Sequence, residues 1–170
     1  GIKFVSNLST PQDQIDNKTP KGKDYLLEVD NRLVLPAGKK VRILLTSTDV
    51  IHNWWVPAFG SARDAIPGYL RETWVKIEKP GTYRGQCKEL CGKGHGFMPV
   101  VVDAVTEAEF KTWAQDQKVK LAAASAGADP AAMYEVEVAS GPGAALTVKD
   151  QVSGVVSCVA GATPAAPVFV

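Results

Sequence analysis

Between residues 87 and 98 the chain reads Cys87-Lys88-Glu89-Leu90-Cys91-Gly92-Lys93-Gly94-His95-Gly96-Phe97-Met98, gathering two thiols, an imidazole and a thioether in one short run. The whole sequence of 170 residues holds 3 cysteines and 2 histidines, and the second histidine, His52, lies far upstream. A fold that uses all of these groups together must carry residue 52 back beside residues 87–98. An odd cysteine count argues against a disulfide framework, and Cys158 stands apart from the other two.

Soft sulfur ligands suit Cu(I), imidazole suits both copper oxidation states, and a weak thioether is the usual axial partner in copper electron-transfer sites. A structural zinc site uses Cys and His alone, which would leave Met98 as core filling. The Cys-x3-Cys-x3-His spacing by itself admits zinc, copper or no metal. Met98 and the distant His52 favour copper. One cysteine suffices for a mononuclear site, so the second allows both sulfurs to bridge two copper ions. Each ion then takes one histidine, with Met98 as a weak ligand on one and the backbone carbonyl of Glu89 on the other.

Composition places the chain among ordinary globular proteins, with 45% hydrophobic and 22% charged residues. Lys and Arg total 19 against 18 Asp and Glu, a net +1 that gives no electrostatic case for nucleic acid. The longest charge-free run, residues 151–170, is broken by Pro164 and Pro167 and is too polar to cross a bilayer as a helix. Gly1-Ile2-Lys3-Phe4 lacks the marks of a secretion signal, so a mature chain or a piece of a longer one is expected, preferably the latter.

Up to about residue 104 the pattern is one of short strands with turns between them, which suggests an all-β sandwich or small barrel. Tyr25 to Val29 and Arg32 to Leu35 read as a hairpin around Asp30-Asn31. Further strands are predicted at Val41 to Thr46, Arg71 to Ile77, Gly81 to Gly85 and Pro99 to Val102. Thr106 with Glu109 forms a capping box, so a helix is expected from there through Trp113 to roughly Leu121. From Ala122 on, fourteen of 49 residues are alanine and only five are charged, as in a linker or low-complexity extension. Short strands or a helix edge at Met133 to Ala139 and Ala145 to Lys149 complete this reading.

Asp49-Val50-Ile51-His52-Asn53-Trp54-Trp55-Val56-Pro57, Asp64-Ala65-Ile66-Pro67-Gly68, and Pro80-Gly81-Thr82-Tyr83-Arg84-Gly85-Gln86-Cys87 through to Pro99 closely resemble subunit II of haem-copper cytochrome c oxidase, in its dinuclear CuA domain. The resemblance covers about residues 1 to 115 in order. It implies a cupredoxin-like Greek-key β-barrel over residues 1–115, followed at 116–170 by the helix end, a linker and an extension. It implies His52, Cys87, Glu89 through its carbonyl, Cys91, His95 and Met98 as ligands of two copper ions. It further implies that electrons pass from cytochrome c through CuA to haem in subunit I, where oxygen is reduced and protons are pumped.

By the same resemblance the Glu89 side chain helps hold a Mg2+ ion shared with subunit I, and Arg63 and Asp64 face that subunit. Subunits I and III would be partners, on the periplasmic face of a bacterial inner membrane, with the anchor in N-terminal transmembrane helices that this sequence starts after. Asp64-Ala65-Ile66-Pro67-Gly68 and Gly85-Gln86-Cys87 resemble the oxidase rather than the CuA domain of nitrous oxide reductase, and a copper-storage or zinc-stabilised module is the rival from another class. Some relatives carry a cytochrome c domain after this point. Here Cys158-Val159-Ala160-Gly161-Ala162 lacks the second cysteine and the histidine of Cys-x-x-Cys-His, so no covalent haem c is assigned, and a degenerate cytochrome c-like extension is the alternative for the tail.

Overall fold

Val41, Ile43, Leu45 and Ser47 alternate with more exposed neighbours along Lys40–Ser47, the two-residue period of a strand with one face on the core. The computed structural model describes residues 4–125 and the strand segments 137–138, 152–158 and 167–169, with side chains described for residues 4–119. In chain order the elements are a single turn α1 (Gln12–Ile15), then β1 (Leu33–Pro36), β2 (Lys40–Ser47), β3 (His52–Val56), β4 (Ser61–Ala65), β5 (Arg71–Lys76), β6 (Gly81–Cys87), β7 (Pro99–Val105) and α2 (Glu107–Ser125). Short strands β8 (Glu137–Val138), β9 (Val152–Cys158) and β10 (Pro167–Phe169) follow.

One sheet runs β1-β7-β6-β3-β4 and the other β10-β9-β2-β5, with β8 paired to β9. Both contribute to a single core that includes Leu35, Ile43, Leu45, Trp54, Val56, Val75, Val100 and Val102. The architecture is the expected all-β, cupredoxin-like one, two curled sheets with a C-terminal helix. Pro99 to Val102 are all buried, so both faces of β7 are covered there; β7 lies between β1 and β6 in its sheet, and α2 packs against β1. The capping box forms as expected: Thr106 N–H donates to Glu109 Oε2 at 2.8 Å and Glu109 N–H donates to Thr106 Oγ1 at 3.3 Å. The helix runs past Leu121 to Ser125 through three alanines, the best helix formers.

The hairpin expected from Tyr25 to Leu35 is not formed. Val29 instead makes an isolated bridge to Leu8, and β1 pairs in parallel with β7, from Leu33 opposite Val102 to Pro36 opposite Val105. Asp30 and Asn31, read as turn residues, hold the N-terminal segment: Asn7 N–H donates to Asp30 Oδ1 at 2.6 Å and Asn31 Nδ2 donates to Val5 O at 2.7 Å. Glu28 adds charge to this clamp, with Arg32 Nη2 and Arg84 Nη2 each 2.7 Å from its Oε2. Two strands without a clear sequence signal, β3 and β4, form a hairpin closed by a tight turn over Pro57–Phe59 that ends on Gly60 at φ 63°. Of the tail segments read as strand or helix edge, Ala145 to Lys149 lies outside the described residues, and Met133 to Ala139 is described only at β8.

Candidate metal centre

His52 opens β3 and Cys87 closes β6, and these strands are antiparallel neighbours with Trp54 opposite Cys87. The pairing carries residue 52 back to the cysteines. Gly85 makes it close: a Cβ there would stand 1.9 Å from Trp55 O and 2.8 Å from Val56 Cα, so no side chain fits. The loop from 88 to 98 is tied at its base, with Lys88 N–H donating to Asn53 O at 3.1 Å and Cys87 N–H to Met98 O at 3.0 Å. Within it His95 N–H donates to Gly92 O at 3.1 Å and Phe97 N–H to Gly94 O at 2.9 Å, turning the His95 ring and Met98 back toward Cys91.

The ligand atoms of His52, Cys87 and Cys91 all lie within 4.8 Å of one another. The two sulfurs are 3.9 Å apart, and each has its own imidazole: His52 Nδ1 is 3.8 Å from Cys87 Sγ and His95 Nδ1 is 3.5 Å from Cys91 Sγ. Met98 Sδ is 3.5 Å from Cys91 Sγ, and the carbonyl oxygen of Glu89 is 3.3 Å from Cys87 Sγ. His52 is fully buried and Met98 is 2% exposed, whereas Cys91 and His95 are half-buried at the surface of the loop. All six groups named from the sequence therefore converge on one spot, with soft sulfur at the centre and an imidazole on either side. This donor set fits a pair of copper ions.

The electrostatics divide the two thiols. Burial opposes charge on Cys87, but the His52 ring and the Asn53 N–H outweigh it and lower its pKa. At Cys91 burial and the adjacent Cys87 charge act together, and the thiol is pushed up to about 12. Burial lowers the pKa of His52, yet contact with Cys87 and Asp49 raises it overall. Of the two thiols, Cys87 is thus the first to take a negative charge, and charge on Cys91 is favoured only by a cation beside it.

Glu89 points its side chain to solvent. Arg63 and Asp64 sit on β4, opposite Trp54 and Asn53; Arg63 is exposed, and Asp64 Oδ1 accepts a hydrogen bond from Asn53 Nδ2 at 2.7 Å. Sequence reasoning did not single out Asp49, which contacts His52, or Ser47, which contacts Asp49, nor the steric role of Gly85. The only available signal was the position of Asp49 three residues before His52.

Residues 2–105 match the family model described as the cytochrome c oxidase subunit II periplasmic domain. A probable cytochrome c oxidase subunit 2 of Rickettsia prowazekii is 47% identical over 98 residues, covering 58% of this chain and 31% of that protein. Cytochrome c oxidase subunit 2 of Arabidopsis thaliana is 46% identical over 98 residues, 58% of this chain and 38% of its own length. The match thus spans about a third of these relatives. The crystal structure of the periplasmic domain of subunit II of cytochrome oxidase from Bradyrhizobium japonicum superposes with a TM-score of 0.61 at 44% identity, covering 70% of this chain and 79% of that one. Family match, fold and converging ligand residues agree, and this chain belongs to the cytochrome c oxidase subunit II periplasmic domain family.

Proposed function

We propose that this chain is the electron-entry domain of a haem-copper cytochrome c oxidase, holding a dinuclear CuA centre on His52, Cys87, the Glu89 carbonyl, Cys91, His95 and Met98. The observation that carries the proposal is the pairing of two sulfurs 3.9 Å apart with two imidazoles, one beside each sulfur. With both ions bound on these residues, the pair would supply a one-electron store, taking up and releasing a single electron at soft sulfur and imidazole donors that the fold already holds in place.

The chain's own residues prepare that site. The β3–β6 pairing fixes His52 against Cys87, the tied loop presents Cys91 and His95, and the buried Trp54 and Met98 keep water from the inner side. The half-buried outer side, at Cys91 and His95, leaves an approach for a redox partner. Cytochrome c or an equivalent soluble protein would donate one electron at a time, and subunit I would accept it, with subunit III in the same complex. The exposed Glu89 carboxylate would complete a Mg2+ site shared with subunit I, and Arg63 and Asp64 would border that subunit. The working location is the periplasmic face of a bacterial inner membrane, in keeping with the family's description as a periplasmic domain. Among the described residues no helix is long and apolar enough to cross a membrane.

Mixing the copper-loaded chain with reduced cytochrome c in a stopped-flow instrument tests the role. One equivalent of cytochrome c oxidised per loaded chain, and none with the Cys87→Ser variant, is the expected result. No oxidation by a chain that carries two coppers would overturn the electron-entry reading.

A further inference from the structure

Among the described residues, His52 is the one proposed copper ligand held by a carboxylate on its far side. Its ring is fully buried, with Nδ1 toward Cys87 Sγ at 3.8 Å and Nε2 2.8 Å from Asp49 Oδ1. Asp49 is itself anchored from the end of β2, where Ser47 Oγ lies 3.0 Å from Asp49 Oδ1 and accepts the Asp49 N–H at 3.3 Å. Ser47 Oγ also lies 2.5 Å from the carbonyl oxygen of Val50, so its single proton serves one of two acceptors and locks the loop that leads into β3. Ser47 is 5% exposed and His52 fully buried, while the Asp49 carboxylate between them keeps 21% of its side-chain surface open.

We propose that Asp49, braced by Ser47, is a positioning residue for the metal centre: it takes the Nε2–H of His52 and thereby presents the unprotonated Nδ1 to copper. The inference rests on the copper reading above and adds to it the group that selects the imidazole's tautomer and orientation. A carboxylate accepts and does not donate, so the ring nitrogen facing it must carry the proton. The nitrogen facing the sulfurs is then free as a ligand. His95 has no such carboxylate contact among the described residues, so the two imidazoles are held unequally, one rigidly from within and one by its loop.

The test compares the parent chain with Asp49→Asn, which keeps an acceptor oxygen, and Asp49→Leu, which removes it. Cu(I) affinity is read by competition with a chromophoric chelator. The His52 ring protons are read by nitrogen-15 NMR of the reduced, diamagnetic copper form. The parent should show a slowly exchanging Nε2–H. Asp49→Asn should bind copper within about threefold of the parent, and Asp49→Leu about 10- to 100-fold more weakly with the Nε2–H signal lost. Asp49→Leu with parental affinity and an intact signal would overturn the proposal. Should that variant not fold, the parent alone decides, because absence of a protected Nε2–H at His52 overturns the proposal as firmly. A parent chain that takes up fewer than two coppers overturns the CuA reading instead. The Asp49 contact is then judged on the metal-free chain, where an unprotonated Nε2 refutes it and a protected Nε2–H supports it.

Discussion

Cys87 and Cys91 are four residues apart and unlike in surroundings, one buried against His52 and backbone donors, the other half-exposed beside His95 and Met98. Both are bridges in the proposed centre, so replacing either with serine should abolish the dinuclear spectrum; a mixed-valence spectrum that survives in Cys87→Ser or Cys91→Ser contradicts the assignment. Met98→Leu should be milder. The thioether is a weak ligand and the swap conserves volume in a buried position, so a stability change under about 1.5 kcal/mol is expected, with a shifted potential and two coppers retained. Copper analysis and voltammetry of that variant check both parts. At this scale the candidate ligand groups stood out in the sequence because thiols, imidazoles and a thioether are rare here and their chemistry is specific. Asp49 was not, since a carboxylate in a loop reads as ordinary solvated charge until the His52 ring is seen against it.

The elements show where the periodic signal carried and where it failed. β2, β5, β6, β7 and α2 were readable from alternation, β-branched runs and the capping box, with starts within one residue and C-terminal ends shifted by one to four. The β3–β4 hairpin was hidden because His52-Asn53-Trp54-Trp55-Val56 puts polar and aromatic residues on both faces and its partner Ser61-Ala62-Arg63-Asp64-Ala65 is polar and small. The false hairpin at 25–35 arose because Asp30-Asn31 has turn chemistry that is spent on the N-terminal segment, while parallel pairing with a distant strand leaves no local signal. Gly85→Ala tests the placement of β3 on β6. Forcing a methyl group into Trp55 O should cost about 3 kcal/mol or more in urea unfolding and weaken copper binding with it; a stable variant with normal copper uptake would show that the close approach is not required. Thr106→Ala should cost about 1 kcal/mol through the lost cap and leave copper binding unchanged, since Thr106 follows the end of β7 opposite to the one that Met98 precedes.

At the scale of the molecule, two sheets share one core and the proposed ligands come from two strands and the loop between β6 and β7, so metal binding and folding should be linked. With free copper at a hundred times its dissociation constant, the gain is about 2.7 kcal/mol and the melting temperature should rise by about 10 °C. Equal melting of the loaded and metal-free chains would contradict the linkage. A second dependence concerns pH. Burial raises the pKa of Glu28, but its bonds to Arg32 and Arg84 lower it overall. A carboxylate held below its ordinary value stabilises the fold above the ordinary carboxylate range, and that stability is lost as pH falls out of that range and through the lower, folded pKa. Glu28→Gln should therefore lower stability at pH 7 by about 1.5 kcal/mol, and the difference from the parent should shrink steadily as the pH is lowered below the ordinary carboxylate range, as read by chemical unfolding over a falling pH series. The central claim, that the paired thiols and imidazoles hold two coppers sharing one electron, is tested most directly by copper analysis with EPR of the loaded chain. Two coppers per chain and a seven-line hyperfine pattern are predicted; one copper with four lines, or a zinc-loaded and EPR-silent chain, would contradict it.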